Sequence, residues 1–75
     1  EKLIVRISQN IILSESNLKI LKNNLIKFFD KNQSINVSEF KYLFNISRKY
    51  AIPLLEYLDK IQFTFRKGNT RELIK

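Results

Sequence analysis

Leu3, Val5 and Ile7 alternate with Ile4 and Arg6 before Ser8, Gln9 and Asn10 interrupt, and Ile11 to Leu13 resume the apolar run. A period of two broken by a polar triplet predicts an opening β-hairpin. Ser14 can cap the next segment, where Leu18, Leu21, Leu25, Phe28 and Phe29 recur at helical spacing while Lys19, Lys22, Asn23 and Lys27 take the other side. This predicts an amphipathic first helix over about residues 15 to 32. Ser34 to Asn36 reads as a short extended link. Asn36 with Glu39 three residues on can form a capping box before Phe40, Leu43 and Phe44, which gives a short second helix. Asn45 stands where a left-handed residue would end it, a position usually given to Gly that Asn tolerates.

Ser47 is placed to cap a third helix in which Ala51, Leu54, Leu55, Leu58 and Ile61 share one face. Lys49, Pro53, Glu56 and Lys60 lie opposite, and Pro53 removes one amide donor, which should bend the helix or tighten its first turn. Phe63 and Phe65 then alternate with Thr64 and Arg66, Lys67-Gly68-Asn69 makes a tight turn, and Thr70 to Ile74 returns as a partner strand. The expected fold is α+β and mainly helical. It is a winged helix-turn-helix with three helices and a C-terminal β-hairpin wing, preceded by a short N-terminal hairpin. Residues 1–75 read as one domain, without repeat, linker or low-complexity stretch.

Composition removes more function classes than it suggests. The chain has no Cys and no His, so a disulfide framework, a thiolate nucleophile, an imidazole base and an ordinary zinc or haem site are all excluded. No metal site, catalytic residue or enzymatic activity is expected of it. Its longest uninterrupted apolar stretches, such as Leu3 to Val5 and Ile11 to Leu13, are far short of the ~20 residues that span a bilayer, so no membrane association is expected. The opening at Glu1, without Met or a leader pattern, reads as a piece of a longer polypeptide, and the cytosol fits it. Fourteen Lys and Arg against seven Asp and Glu leave a formal charge of +7, which favours a polyanionic partner.

Two clusters carry that excess where chemistry can use it. Arg48, Lys49 and Tyr50 sit in the predicted first turn of the third helix, where unpaired amides and the positive dipole end already favour a phosphate. Cations there cost roughly a few tenths of a kcal/mol against the dipole, so a sequence without a ligand to bind has reason to avoid them. Arg66, Lys67 and Arg71 flank the wing turn, where like charges across a hairpin repel unless an anion is near; lysines that merely guard an exposed strand edge are the plainer alternative. Tyr42 and Tyr57 read as packing residues, whereas Tyr50 lies beside the basic cluster and could stack on a base. Lys19, Lys22, Lys27 and Lys31 are the solvated side of the first helix. Glu56 and Asp59, three apart with no other polar group converging, form no acid-base pair.

Glu56 bears on the choice of nucleic acid. An acid in the middle of the outward face suits a helix in a DNA major groove poorly, so end-on contact with a compact RNA hairpin is the better expectation. A DNA-reading winged helix of a transcription regulator and a protein-docking winged helix remain the alternatives.

The segment SRKYAIPLLEYLDK, Ser47 to Lys60, followed by IQFTFRKGN, resembles the last winged-helix domain of the bacterial selenocysteine-specific elongation factor SelB. The likeness runs through about residues 34 to 71, from the capping box to the wing. Asn45 replaces the family's usual Gly, and Phe65 stands where a basic wing residue is expected. The resemblance implies an RNA-binding module that recognises the selenocysteine insertion hairpin of a messenger RNA. It would thereby tether the elongation factor, with GTP and selenocysteinyl-tRNA, at a recoded UGA codon. GTP would belong to translation domains outside this chain, since a chain with one Gly holds no phosphate-cradling glycine loop. By resemblance, Ser47, Arg48, Lys49 and Tyr50 map to the RNA-facing helix start, and Arg66, Lys67, Asn69 and Arg71 to the wing. The module is expected to be a monomer.

Overall fold

The computed structural model describes residues 3–74; Glu1, Lys2 and Lys75, the outer limits of the expected domain, lie outside the described residues. The order is β1 (Ile4–Ser8), β2 (Ile11–Ser14), α1 (Glu15–Phe29), β3 (Ile35–Asn36), α2 (Val37–Phe44), α3 (Arg48–Lys60), β4 (Thr64–Lys67) and β5 (Thr70–Leu73). β1 and β2 form an antiparallel hairpin, and a second antiparallel sheet runs β3-β5-β4. This is the expected α+β winged helix with both hairpins.

The helices form where periodicity and caps coincide. Ser14 Oγ accepts from the Asn17 amide at 3.1 Å and starts α1. The helix ends at Phe29 instead of near residue 32, because the Asn32 side-chain amide donates to the Phe28 carbonyl at 2.9 Å and closes the last turn. The capping box of α2 is complete: Glu39 N–H donates to Asn36 Oδ1 at 2.7 Å, and Asn36 N–H donates to Glu39 Oε1 at 2.9 Å. α3 runs unbroken through Pro53.

α2 and α3 stop in the same way. Beyond α2, Asn45 takes φ 53°, its amide bonds the Tyr42 carbonyl, and the Ile46 amide bonds the Lys41 carbonyl. Beyond α3, Gln62 takes φ 62°, its amide bonds the Asp59 carbonyl, and the Phe63 amide bonds the Leu58 carbonyl. Both are paired-carbonyl left-handed stops of the Schellman type, made without glycine. In each, the residue after the left-handed one, Ile46 or Phe63, packs on the core.

That core is Leu21, Leu25, Ile35, Phe40, Ala51, Leu54, Leu55 and Leu58, with Ile7 and Leu13 of the first hairpin packed against it. Ile61, expected on the inward face of α3, is 38% exposed because the helix has already ended. In the wing, Thr64 is buried at 1% exposure while Phe65 is 41% exposed, so the polar member of the alternation faces the core.

A left-handed Gln carries a steric cost that Gly avoids, partly offset by the greater unfolded-state freedom of Gly. Gln62→Gly is therefore expected to raise stability by roughly 0.5 kcal/mol, and Gln62→Val to lower it by about 1 kcal/mol or more. Thermal unfolding checks both, with midpoints moving about 4 to 8 °C per kcal/mol in a domain of this size.

Candidate nucleic-acid interface

Ser47 has the extended backbone of a helix cap, φ −82° and ψ 165°, but its hydroxyl accepts no bond from the helix. The expected side-chain cap is absent. Only the Ser47 carbonyl joins the ladder, accepting from Tyr50 N–H at 3.1 Å and Ala51 N–H at 2.9 Å. The first amides of α3 thus keep the unpaired state in which a helix start favours an anion. No acid lies in the first turn, and Ser47, Arg48, Lys49 and Tyr50 are all exposed around it. Lys49 Nζ stands 5.9 Å from the centroid of the Tyr50 ring, which is 45% exposed, so cation and aromatic face share one patch.

The first hairpin flanks this end of α3: β1 packs against the helix, and a hollow of about 190 Å³ between the hairpin and the helix start is lined by Ser8, Asn10, Ile11, Lys49, Tyr50 and Pro53. Pro53 offers no N–H, so the Lys49 carbonyl lacks its usual helical donor there. Exposed Glu56 lies farther along. The exposed cations of α3 lie at its two ends, Arg48 and Lys49 in the first turn and Lys60 in the last, with Glu56 between them.

The wing tip is the second basic point. β4 and β5 pair with Lys67 opposite Thr70, leaving Gly68 and Asn69 as a two-residue loop. Gly68 takes φ 62°, the left-handed first position that Gly supplies cheaply in a II′-type hairpin. The Thr70 hydroxyl donates to the Lys67 carbonyl at 3.0 Å, and Arg66 Nε donates to the Gly68 carbonyl at 3.1 Å, so the tip is held by its own side chains. Arg66, Lys67 and Asn69 are exposed there. Lys67 Nζ lies 3.7 Å from Glu72 Oε2, a contact that leaves the lysine side chain 69% exposed and available to a stronger anion.

Arg71 departs from the expected wing set. It does sit opposite Arg66 across the hairpin, but it is buried at 5% exposure with its Nε donating to Asp59 Oδ2 at 3.2 Å. The anion that the paired arginines call for comes from the protein itself. Asp59 Oδ1 accepts from the Thr64 hydroxyl at 2.6 Å, so one carboxylate binds both strands of the wing. Reading Asp59 as an uninvolved helix acid missed this. A signal was present: the two-residue turn fixes the register, which puts Arg71 on the same face as Thr64 and Leu73 and demands a counter-charge within reach.

Tyr57 is half-buried as expected of a packing residue, but Tyr42 is 90% exposed. Lys22 is half-buried with Nζ 5.6 Å from the Phe63 ring centroid, whereas Lys19, Lys27 and Lys31 are exposed. Among the described residues no acidic cluster is arranged to hold a metal, and no helix is long and apolar enough to cross a membrane.

Three helices, a helix-turn-helix joined through Asn45 and a hairpin wing with a basic tip define a winged-helix domain. Comparison with known proteins gives the family. The winged helix of elongation factor SelB matches residues 27–73, and the chain belongs to that family. It is 32% identical, over its whole length, to the selenocysteine-specific elongation factor of Desulfomicrobium baculatum, of which it spans 12%. The mRNA-binding domain of elongation factor SelB from E. coli, solved in complex with SECIS RNA, is 27% identical with a TM-score of 0.89. That match covers 97% of this chain and 60% of the E. coli one.

The partition of charge can be tested by stability. Arg71→Ala would strand Asp59 against the buried Thr64, and a loss of about 3 kcal/mol is expected, the low end for a broken buried pair because Asp59 keeps some solvent contact. Lys67→Ala, at an exposed site, should cost under about 0.5 kcal/mol. Urea unfolding of the two variants gives the comparison directly, and equal losses would refute the partition.

Proposed function

We propose that this domain binds the selenocysteine insertion hairpin of a messenger RNA and holds a selenocysteine-specific elongation factor at a recoded UGA codon. The observation that carries the reading is the pairing of two basic points on separate elements, the start of α3 with its uncapped first amides and the wing tip, with an exposed acid, Glu56, in the middle of the helix. Such a surface suits the compact, turning backbone of a hairpin loop better than a straight groove. The SelB domain solved with SECIS RNA shares the fold closely and supports the same partner.

The binding set on this reading is Ser47, Arg48, Lys49 and Tyr50 at the helix start, with Arg66, Lys67 and Asn69 at the wing. Arg71 serves it from within. The domain itself performs no reaction, carries no cofactor and acts as a monomer in the cytoplasm, with GTP held by translation domains elsewhere in the longer protein. Its contribution is effective concentration: a tethered factor meets one codon far more often than a free one, with no new contact at the decoding site. A DNA-reading role fits less well, because exposed Glu56 sits in mid-helix, where a major-groove helix needs neutral or cationic surface.

Binding measured across salt concentration tests the assignment. Arg48→Ala with Lys49→Ala should flatten the slope of log affinity against log salt by roughly 1.4 to 1.8, and Lys67→Ala by about half as much. Lys19→Ala with Lys31→Ala is the control; Lys22 is unsuitable because it covers Phe63. A hairpin should be preferred over loop-less duplex RNA and over DNA of equal length at ~150 mM salt. Equal affinity for all three, or an equal flattening by the control pair, would overturn the reading.

A further inference from the structure

We infer that Asp59 is the positioning residue of the RNA-binding surface: with Thr64 and Arg71 it fixes the angle between α3 and the wing. That angle decides whether the helix start and the wing tip reach phosphates of one hairpin together. The inference rests on the function proposed above and adds to it a residue that need touch no RNA.

The two oxygens of Asp59 are divided between the two strands of the wing. Oδ1 takes the Thr64 hydroxyl of β4 and Oδ2 takes Arg71 Nε of β5. Among the described residues these are the only side-chain hydrogen bonds that join α3 to the wing. The remaining polar links are backbone bonds at the pivot, from Gln62 to Asp59 and from Phe63 to Leu58. They hold the base of the hairpin, β3 holds β5 along its edge, and the carboxylate adds the side-chain bonds that set the wing against α3. Arg71 also lies on the central strand, paired with Ile35 on one side and Arg66 on the other, so its anchor reaches all three strands.

The lever is long enough to matter. Lys67 lies three residues, about 10 Å, beyond Thr64 along β4, so a tilt of about 20° displaces the tip by about 3 to 4 Å. A phosphate hydrogen bond does not survive such a shift. At the other end, Arg48 is about 16 Å from Asp59 along the helix axis, too far for direct charge contact. An effect of Asp59 on binding at the helix start must therefore pass through geometry or through long-range attraction.

Those two routes have opposite signs. Asp59→Asn removes an acid from a chain of net charge +7, so attraction alone would tighten RNA binding. Positioning predicts that it weakens, by about tenfold, as engagement at two points becomes engagement at one. Glu56→Gln makes the same charge change on the exposed side of α3 and should leave affinity unchanged or slightly tighter. Thr64→Val keeps every charge and nearly the same volume, removes one of the two clamp bonds, and should weaken binding less than Asp59→Asn.

The test measures hairpin-RNA affinity for the native domain, D59N, T64V and E56Q, each with and without Lys67→Ala, below the thermal midpoint of every variant. Residual dipolar couplings of the α3 and wing amides report the angle in the absence of RNA. The expected result is weaker binding by D59N, a Lys67→Ala effect that is present in the native background and lost in D59N, and wing couplings that move relative to α3. If D59N does not fold, T64V with its own Lys67→Ala pair carries the same comparison. Binding by D59N as tight as native or tighter, a Lys67→Ala effect that persists, or unchanged couplings would each overturn the inference. A native domain that binds hairpin and duplex alike would instead overturn the proposed function.

Discussion

The Asp59 carboxylate joins the last helix to the wing, and most of what distinguishes this surface follows from that bond. Without it the hairpin would place two arginines opposite each other with no counter-ion, since Arg66 and Arg71 are direct cross-strand partners. With it, the pair divides. Arg71 is buried and spends its charge on the fold, while Arg66, on the same face but nearer the tip, stays exposed and braces the turn through the Gly68 carbonyl. The same carboxylate draws Thr64 into the interior, where a hydroxyl without a partner would be costly to bury. Phe65, the next residue along the strand, is consequently turned toward solvent.

The stops of α2 and α3 prepare the ground for this arrangement. Each reverses the chain within two residues and sends the following apolar side chain, Ile46 or Phe63, back onto the core. The first reversal sets α3 against α2 with its amide end outward. The second delivers β4 beside the end of α3, so Thr64 arrives next to Asp59 five residues after it. Neither reversal uses the chain's one glycine, which is kept for the wing tip. At Asn45 the substitution is mild, because Asn tolerates the left-handed region. At Gln62 the surrounding structure must hold an unfavourable backbone in place, which makes the junction between helix and wing a spot of stored strain beside its strongest polar contact.

Much of this fold was legible in the residues because it is encoded locally. Helical spacing located all three helices, the Asn36 and Glu39 pair announced the capping box, Asn45 announced the left-handed stop, and Lys67-Gly68-Asn69 announced the turn. What failed was non-local. The sign of Arg71's charge is plain from the sequence, but the partner that neutralises it lies twelve residues back on another element, and no short-range period records that. The alternation of Phe63 and Phe65 with Thr64 and Arg66 marked a strand without saying which members would be buried; at Thr64 a hydrogen bond to Asp59 decides it. The Ser47 hydroxyl was read from residue type alone, and type does not decide whether a cap bond forms.

An apolar pair in place of Asp59 and Arg71 would also bury surface, and in some proteins such replacements are the more stable choice. The difference lies in direction. Dispersion contacts tolerate sliding, whereas a carboxylate with one donor from each strand has a narrow range of distances and angles within which both bonds survive. A small domain whose eight-residue core is formed by its helices and β3 has little apolar material left to orient a projecting hairpin. Two short polar bonds supply that orientation at the cost of desolvating one ion pair. The residue that loses its place on the surface by this arrangement is a cation, and in a chain with twice as many cations as acids that loss is easily borne.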